Sequence, residues 1–314
     1  MARLLVRRLL FMILTLWVIS VTIFAVTEVL PGDVAQAVLG QQATAENLAA
    51  IREQLGLNRS PVERYVDWIT SAVRGDLGES LRMGIPVAPI LMERLGNSLA
   101  LAGLAFVMGV PLAILLGVVA GIFRNRWPDT TISVSMLVAV SLPEFVTGVL
   151  LILIFANWLR WLPPSSLIAP GTNPLEALEF LILPAMTLTL VMLAHTARMT
   201  RTSMADVLRT NYVRTGVLKG LPWGTVILKH ALRNALLPTI TVVAMNVGWL
   251  IGGLIIVENV FSYPGVGRLL LEAVNFRDVP VLQAVTLVTA AVYSLANLMA
   301  DLLYARLNPR VRLS

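Results

Sequence analysis

The sequence contains no cysteine, which excludes disulfides, thiolate metal sites and thiol nucleophiles together. It has only two histidines, His195 and His230, too few for a histidine-based metal centre, and each reads as a structural or exposed side chain. Charge is scarce: 13% of the 314 residues are Asp, Glu, Lys or Arg, against roughly a quarter in a soluble domain. No Gly-x-x-x-x-Gly-Lys-Ser/Thr stretch occurs, so the chain has no phosphate-binding loop of that kind for ATP. There is also no regular array of acids and histidines for a proton relay, and no catalytic cluster. Neither an internal energy source nor an enzyme site is legible, so a membrane enzyme is the weakest reading.

What fills the space is apolar: 57% of the residues are hydrophobic. Segments 9–27, 99–123, 180–194, 234–257 and 279–300 carry no charge, and 131–159 is broken only by Glu144. A helix needs about 20 such residues to cross a bilayer, and in lipid it must satisfy its own backbone hydrogen bonds. The expectation is an all-α integral membrane protein with six transmembrane helices. The first block exceeds the apolar region of a signal peptide, and "AVTEVLPGD" lacks the small-residue cleavage pattern, so it reads as a permanent span. The expected organisation is a first span over 1–30, an extracytoplasmic helical module over 31–98, and a five-helix core over 99–314 with a cytoplasmic loop at 198–237.

Lys and Arg set the orientation. With the N-terminus inside, the inner segments 1–8, 124–130, 198–237 and 305–314 hold fifteen of the 24 basic residues, and Asp129 and Asp206 as their only acids. Both termini are therefore expected in the cytoplasm. The net charge of +6 is a topology signal and not a nucleic-acid footprint.

The long outer segment is not a bare linker. "SPVERYVDWITSAVRG" begins with Ser60 at an N-cap, Pro61 at the first helical position and Glu63 three residues after the cap, which is a capping box. "TAENLAAIREQLG" places Leu48, Ile51 and Leu55 on one face and ends in Gly56, predicting a second outer helix.

Within the spans, Gly117 and Gly121 are four apart, as are Gly248 and Gly252. Such spacing lets helix backbones approach closely, within one bundle or against a second subunit. Pro143 falls inside the third span and predicts a kink there. Glu144 follows it, and an ionisable group at membrane depth faces a cavity or a partner. Pro143, Glu144 and the polar Asn246 are the candidates for a translocation pathway. The plainer alternative has Glu144 in a bend, paired with a structural partner.

Residues 211–238, "NYVRTGVLKGLPWGTVILKHALRNALLP", carry Arg214, Lys219, Lys229 and Arg233 and no acid. Val213, Val217 and Leu221 follow helical spacing; so do Leu228, Leu232 and Leu236, with a break at Gly220–Pro222 between them. The fifth span is expected to begin after Pro238. The charge could fix topology or meet anionic lipid. A turn between two apolar faces suits a groove in a partner protein better.

"YVRTGVLKG" followed by "HALRNALLP" resembles the coupling loop of ATP-binding-cassette importer permeases, specifically the dipeptide, oligopeptide, glutathione and nickel permease family. The general pattern in such importers is Glu-Ala-Ala, three residues, Gly. Here the matching positions are Arg214, Thr215 and Gly216, then Gly220, with Gly216 a departure from the family's Ala. "LPGDVAQAVLG", "QLGLNRSPVERYVDWITSAVRGDLGESL", "FSYPGVGRLLLEAV" with "RDVPVLQAV", and "NLMADLLYARLNPRVR" are similar to the same family in the same order, over nearly the whole chain.

The resemblance implies a type I importer permease fold in a bacterial cytoplasmic membrane. The chain would pair with a second homologous permease subunit as a heterodimer, and would take solute from an extracytoplasmic binding protein. Two cytoplasmic ATPases would hold the ATP and magnesium, so this chain would bind no cofactor and would be no enzyme on its own. Asn211, Tyr212, Arg214, Thr215, Gly216, Lys219 and Gly220 would form the ATPase-coupling site, with Tyr212 an anchor and the two cations paired with ATPase acids. The 261–267 loop would lie toward the binding protein. The implied solute is a di- or oligopeptide, with nickel or glutathione as alternatives. A self-contained secondary transporter driven at Glu144 is the competing class.

Overall fold

The computed structural model describes residues 2–29, 44, 58–167 and 174–307; the second outer helix expected over 44–56 lies outside the described residues apart from Thr44. The described chain is helical: α1 (Ala2–Val29), α2 (Pro61–Val73), α3 (Val87–Ile122), α4 (Trp127–Ser141), α5 (Glu144–Leu151), α6 (Pro174–Val207), α7 (Asn211–Leu218), α8 (Leu232–Val260), α9 (Val266–Phe276) and α10 (Val279–Leu307). Two π-helical stretches join this series, Ile152–Trp158 after α5 and Val226–Ala231 before α8. Among the described residues the only β-structure is an isolated bridge between Glu79 and Pro86.

Among the described residues five helices are long and apolar enough to cross a membrane: Leu5–Glu28, Val87–Ile122, Ala177–Val207, Trp223–Gly248 and Val279–Leu302. The pair Trp127–Ser141 and Glu144–Trp158 makes a sixth only as a broken span, bent by 108°. One kinked helix was expected there, and the break corrects it. Leu142 precedes a proline, whose ring disfavours α geometry at the residue before it. Leu142 sits at φ −89°, ψ 132°, and Pro143 at ψ 146°, so both residues leave the helix.

The chain divides into two units, Met1–Ser98 with Pro264–Leu295, and Leu99–Tyr263 with Ala296–Ser314. In the first, the expected capping box is present: the Glu63 amide donates to Ser60 Oγ at 3.3 Å, and the Ser60 amide to Glu63 Oε2 at 3.3 Å. The helix it starts, α2, lies on α1. Tyr65 bonds Ser20 through their hydroxyls at 2.9 Å, Phe24 meets the Tyr65 ring edge-on, and Arg64 pairs with Glu28. Gly75, at φ 89°, lets the chain leave α2 in a left-handed turn. Buried Asp278 then gathers a hairpin over residues 79–86, accepting from the Ser80 hydroxyl and from the Leu81 amide at 3.2 Å.

The second unit is a helical bundle in which α6 is the most deeply buried of the described spans, packed by α4, α5 and α8 and, at its glycines, by α3. Gly117 and Gly121 of α3 lie directly on α6. A Cβ on Gly117 would stand 2.6 Å from the Ala197 carbonyl oxygen, and one on Gly121 2.9 Å from that of Arg201. Such contacts replace hydrophobic burial, which does not drive one helix onto another in lipid.

The start of α8 also departs from expectation. The helix was expected after Pro238, but α8 runs from Leu232 with Pro238 inside it. Losing one backbone bond at Pro238 does not end a helix whose adjoining turns are anchored, and Ala235 and Thr239 on either side are buried. The face expected to meet a partner, Leu228, Leu232 and Leu236, is not the one this unit buries. The buried face is Val226, Ala231, Ala235 and Thr239, while Leu228 is 67% exposed. The π-turn over Val226–Ala231 supplies the reason: its five-residue step rotates the following helix away from the face that a 3.6-residue period predicts.

Candidate functional site

After α6 ends at Val207, the chain turns and α7 begins behind Thr210. One side chain of α7, Val213, is buried, packing with Met204, Val226, Ala231 and Ala235. Val217 and Leu221, expected on the same face, remain 46% and 37% exposed. The Tyr212 hydroxyl accepts from Asn234 Nδ2 at 2.9 Å, tying α7 to the start of α8, while the Tyr212 ring stays half-exposed. Thr215 donates to the Asn211 carbonyl at 2.9 Å within the helix.

Gly216 and Gly220 have separate tasks at the C-terminus of α7. Gly220 adopts φ 76°, and its amide donates to the Val217 carbonyl at 2.9 Å while the Leu221 amide reaches the Gly216 carbonyl at 3.3 Å. These two bonds form a Schellman cap, which needs a left-handed residue at the glycine. Gly216 has helical neighbours and room: a Cβ there would lie 3.7 Å from Leu221 Cδ1 and 3.8 Å from Val226 Cγ2, which is ordinary contact.

The rest of α7 faces outward. Asn211, Tyr212, Arg214, Thr215, Val217, Leu218 and Lys219 are exposed, and Leu221 and Trp223 extend the apolar part past the turn. The result is a short, capped helix anchored by Val213 and Tyr212, presenting a mixed cationic and apolar face. Such a surface suits a groove with acidic edges.

At the break between α4 and α5, Glu144 opens α5 with its carboxylate directed at α8. A Cβ on Gly253 would stand 3.0 Å from Glu144 Oε2 and 3.3 Å from Leu188 Cδ2. Oε2 is buried and has no hydrogen-bond partner among the described residues. Further along α5, Gly148 packs on Val260 and Phe261 at the end of α8. Asn246 is also on α8, but its amide is taken up by α6: Nδ2 donates to Thr196 Oγ1 at 2.8 Å, both residues being buried. Thr200 and Thr239 repeat this α6–α8 link at 3.1 Å. Pro143 and Glu144 are therefore together at the break, while Asn246 belongs to the α6–α8 seam. Gly248 is buried, whereas Gly252 has open space around it. On the α8 side it is Gly253 that a neighbour approaches. Phe261 and Tyr263 turn into the core of this unit, so the large side chains of that loop are not displayed on its surface.

Sequence reasoning treated Asp129 and Arg201 only as charges of the inner segments. The structure brings them together: both Arg201 Nε and Nη2 donate to the Asp129 carboxylate, the latter at 2.7 Å. Asp129 is 3% exposed and also accepts from the Asn125 amide at 2.9 Å and the Ser133 hydroxyl at 3.2 Å. Partners 72 positions apart leave no local signal in one sequence. Among the described residues no group of three or more His, Asp or Glu side chains could hold a metal ion.

Three similarities bear on this arrangement. The sequence pattern of a family described as "Binding-protein-dependent transport system inner membrane component" matches residues 113–313, and that of its N-terminal membrane component matches residues 1–102. The glutathione transport system permease protein GsiC of Escherichia coli (strain K12) is 40% identical over 310 residues, 98% of each chain. The protein of the same name from Shigella flexneri serotype 5b (strain 8401) matches to the same extent. Among solved structures, an amino acid ABC transporter chain matches with a TM-score of 0.50 at 15% identity, over 71% of this chain and 94% of that one, which speaks for the fold alone.

Proposed function

The chain belongs to the family of binding-protein-dependent transport system inner membrane components and is a permease subunit of an ATP-driven importer, and on that premise we propose its cargo and its point of coupling. It is a multi-pass inner-membrane protein that works with ATPase and binding-protein subunits and is not itself an enzyme. In our reading the cargo is a short peptide. Glutathione, a tripeptide, is the first probe because the GsiC proteins named above are glutathione permeases at 40% identity. Nickel is the second reading within the same family.

The coupling site in this reading is α7 with its cap, residues Asn211 to Gly220. The observation that carries it is the exposed face of Tyr212, Arg214, Leu218 and Lys219 on a helix held from behind by Val213. Arg214 and Lys219 meet acidic groups on an ATPase, where ATP and magnesium are held. Both termini lie on the ATPase side, as the basic residues require. The permease partner is a second homologous subunit of different sequence, and Pro143 and Glu144 line the path between the two. The test is a proteoliposome carrying the complete complex. ATP-dependent uptake of labelled glutathione, competed by dipeptides, supports the reading. Uptake of nickel alone refutes the peptide assignment. Uptake by this chain without ATPases, driven by a proton or sodium gradient, refutes the coupling.

A further inference from the structure

Three features of the second unit form one continuous mechanical path. The first is the anchor of α7: Val213 is buried against Met204 near the end of α6. The second lies one turn back on α6, where Arg201 holds Asp129 at the beginning of α4 through two parallel hydrogen bonds. A guanidinium–carboxylate fork of this kind fixes orientation as well as distance. Asn125, at φ 63°, turns its amide onto the same carboxylate, so the connection between α3 and α4 is held too. The third is the far end of α4, where Leu142 and Pro143 leave the helix and α5 continues at 108°. Beyond the break, Gly148 of α5 packs on the end of α8. So α4 is fastened at one end to α6 and ends at the other in two non-helical residues.

We propose that the Asp129–Arg201 fork is a strut that makes α4 follow the coupling helix, so that a displacement of α7 is delivered to the break at Leu142–Pro143. Asp129 and Arg201 are positioning residues: they touch neither solute nor ATPase. Met204 and Arg201 share one face of α6, so a push on Val213 moves the segment that carries the guanidinium. The fork resists shear because breaking it would strand the buried Asp129 carboxylate away from water. The only extended residues along this path from Asp129 to Gly148 are Leu142 and Pro143, so the motion is taken up there. This inference rests on α7 being the surface on which the partner ATPases act.

The test uses the complete complex in lipid nanodiscs with partner subunits freed of reactive cysteine; this chain itself has none, so each introduced cysteine is its only label site. One label is placed at Arg209→Cys, exposed just before α7, and the second at Val134→Cys on α4 or Val149→Cys on α5, both exposed. Distances are measured without nucleotide and after trapping with ATP, magnesium and vanadate. With the fork intact, the 209–134 distance keeps one value in both states while the 209–149 distance shifts. In Asp129→Asn, the 209–134 distance becomes nucleotide-dependent and the 209–149 shift shrinks, while ATP hydrolysis by the complex stays within about twofold. A 209–134 distance that changes with the fork intact overturns the strut. So does an Asp129→Asn complex whose distances match the parent. Should that variant not assemble, Arg201→Lys keeps the charge without the fork and is expected to behave in the same way; unchanged distances there overturn the proposal. A parent complex in which nucleotide moves neither pair also overturns the strut, whereas failure of the docking surface is read separately, as normal solute-stimulated ATP hydrolysis in a Tyr212→Ala, Arg214→Glu complex.

Discussion

The Glu144 carboxylate rests on the bare Cα of Gly253, so closely that a single methyl at 253 would stand 3.0 Å from Oε2. An acid on α5 and a missing side chain on α8 thus define one another. Gly253→Ala displaces the carboxylate or Leu188 and is expected to destabilise the complex by ~1–3 kcal/mol, read as a lower Tm in detergent. Glu144→Gln keeps the shape and removes the charge. It is expected to leave assembly and Tm unimpaired while changing the uptake rate. Unchanged uptake would make Glu144 a packing residue of the α5–α8 contact.

The two glycines of α7 should respond to alanine with opposite signs. Gly216→Ala has room for its methyl against Leu221 and Val226. It should stabilise α7 by ~0.5–1 kcal/mol through the unfolded chain and helix propensity. Gly220→Ala forces a Cβ into the left-handed region at φ 76°, at a cost of ~1–2 kcal/mol. Thermal unfolding of both variants, measured side by side, separates the effects; a stabilising Gly220→Ala would contradict the Schellman cap.

Tyr212 joins a hydrogen bond within the chain to an exposed ring. Tyr212→Phe loses only the bond from Asn234, expected at ~0.5–1.5 kcal/mol, and should retain ATP hydrolysis stimulated by solute-loaded binding protein. Tyr212→Ala combined with Arg214→Glu removes the anchor and reverses a charge on the docking face. Stimulated hydrolysis should then be abolished while the chain still inserts and folds. Normal stimulation in the double variant would remove α7 from the coupling site.

Asn246 divides a pathway role from a seam role. Asn246→Ala leaves Thr196 without its buried partner on α8, and a loss of ~1–3 kcal/mol is expected, with uptake falling only as far as stability does. Uptake lost at an unchanged Tm would place Asn246 on the path of the solute.

Local signals carried the sequence reading furthest. Ser60, Pro61 and Glu63 lie within one turn, and the cap they form is the one expected. Pro143 announced a disturbance, but a proline fixes only the geometry of its own and the preceding residue. How far α5 swings depends on Gly148 meeting the end of α8 and on Glu144 meeting Gly253, which one sequence does not display. The buried face before and into α8, Val226, Ala231, Ala235 and Thr239, was not legible because it crosses a π-turn that a 3.6-residue period does not show. Gly252 drew attention for its spacing from Gly248, yet Gly253, one residue on, is the position a neighbour occupies. Asp129 and Arg201 were visible as charges, and their pairing was invisible because it joins two helices far apart in the chain. The family, by contrast, was legible from motif order.

The break at Leu142–Pro143 has a consequence for solvent. A helix that stops leaves its final carbonyls, about four of them, with no following turn to bond, and hydrocarbon does not tolerate such groups unless protein or water answers them. A third span built as two half-helices therefore brings backbone polarity to a depth where an unbroken helix would show only side chains. It does so beside Glu144, the first residue of α5, so main-chain and side-chain polarity meet at the break. Hydration at that depth is thus written into the main chain, and on the proposed path a polar cargo would exchange its water for peptide carbonyls lying beside the Glu144 carboxylate.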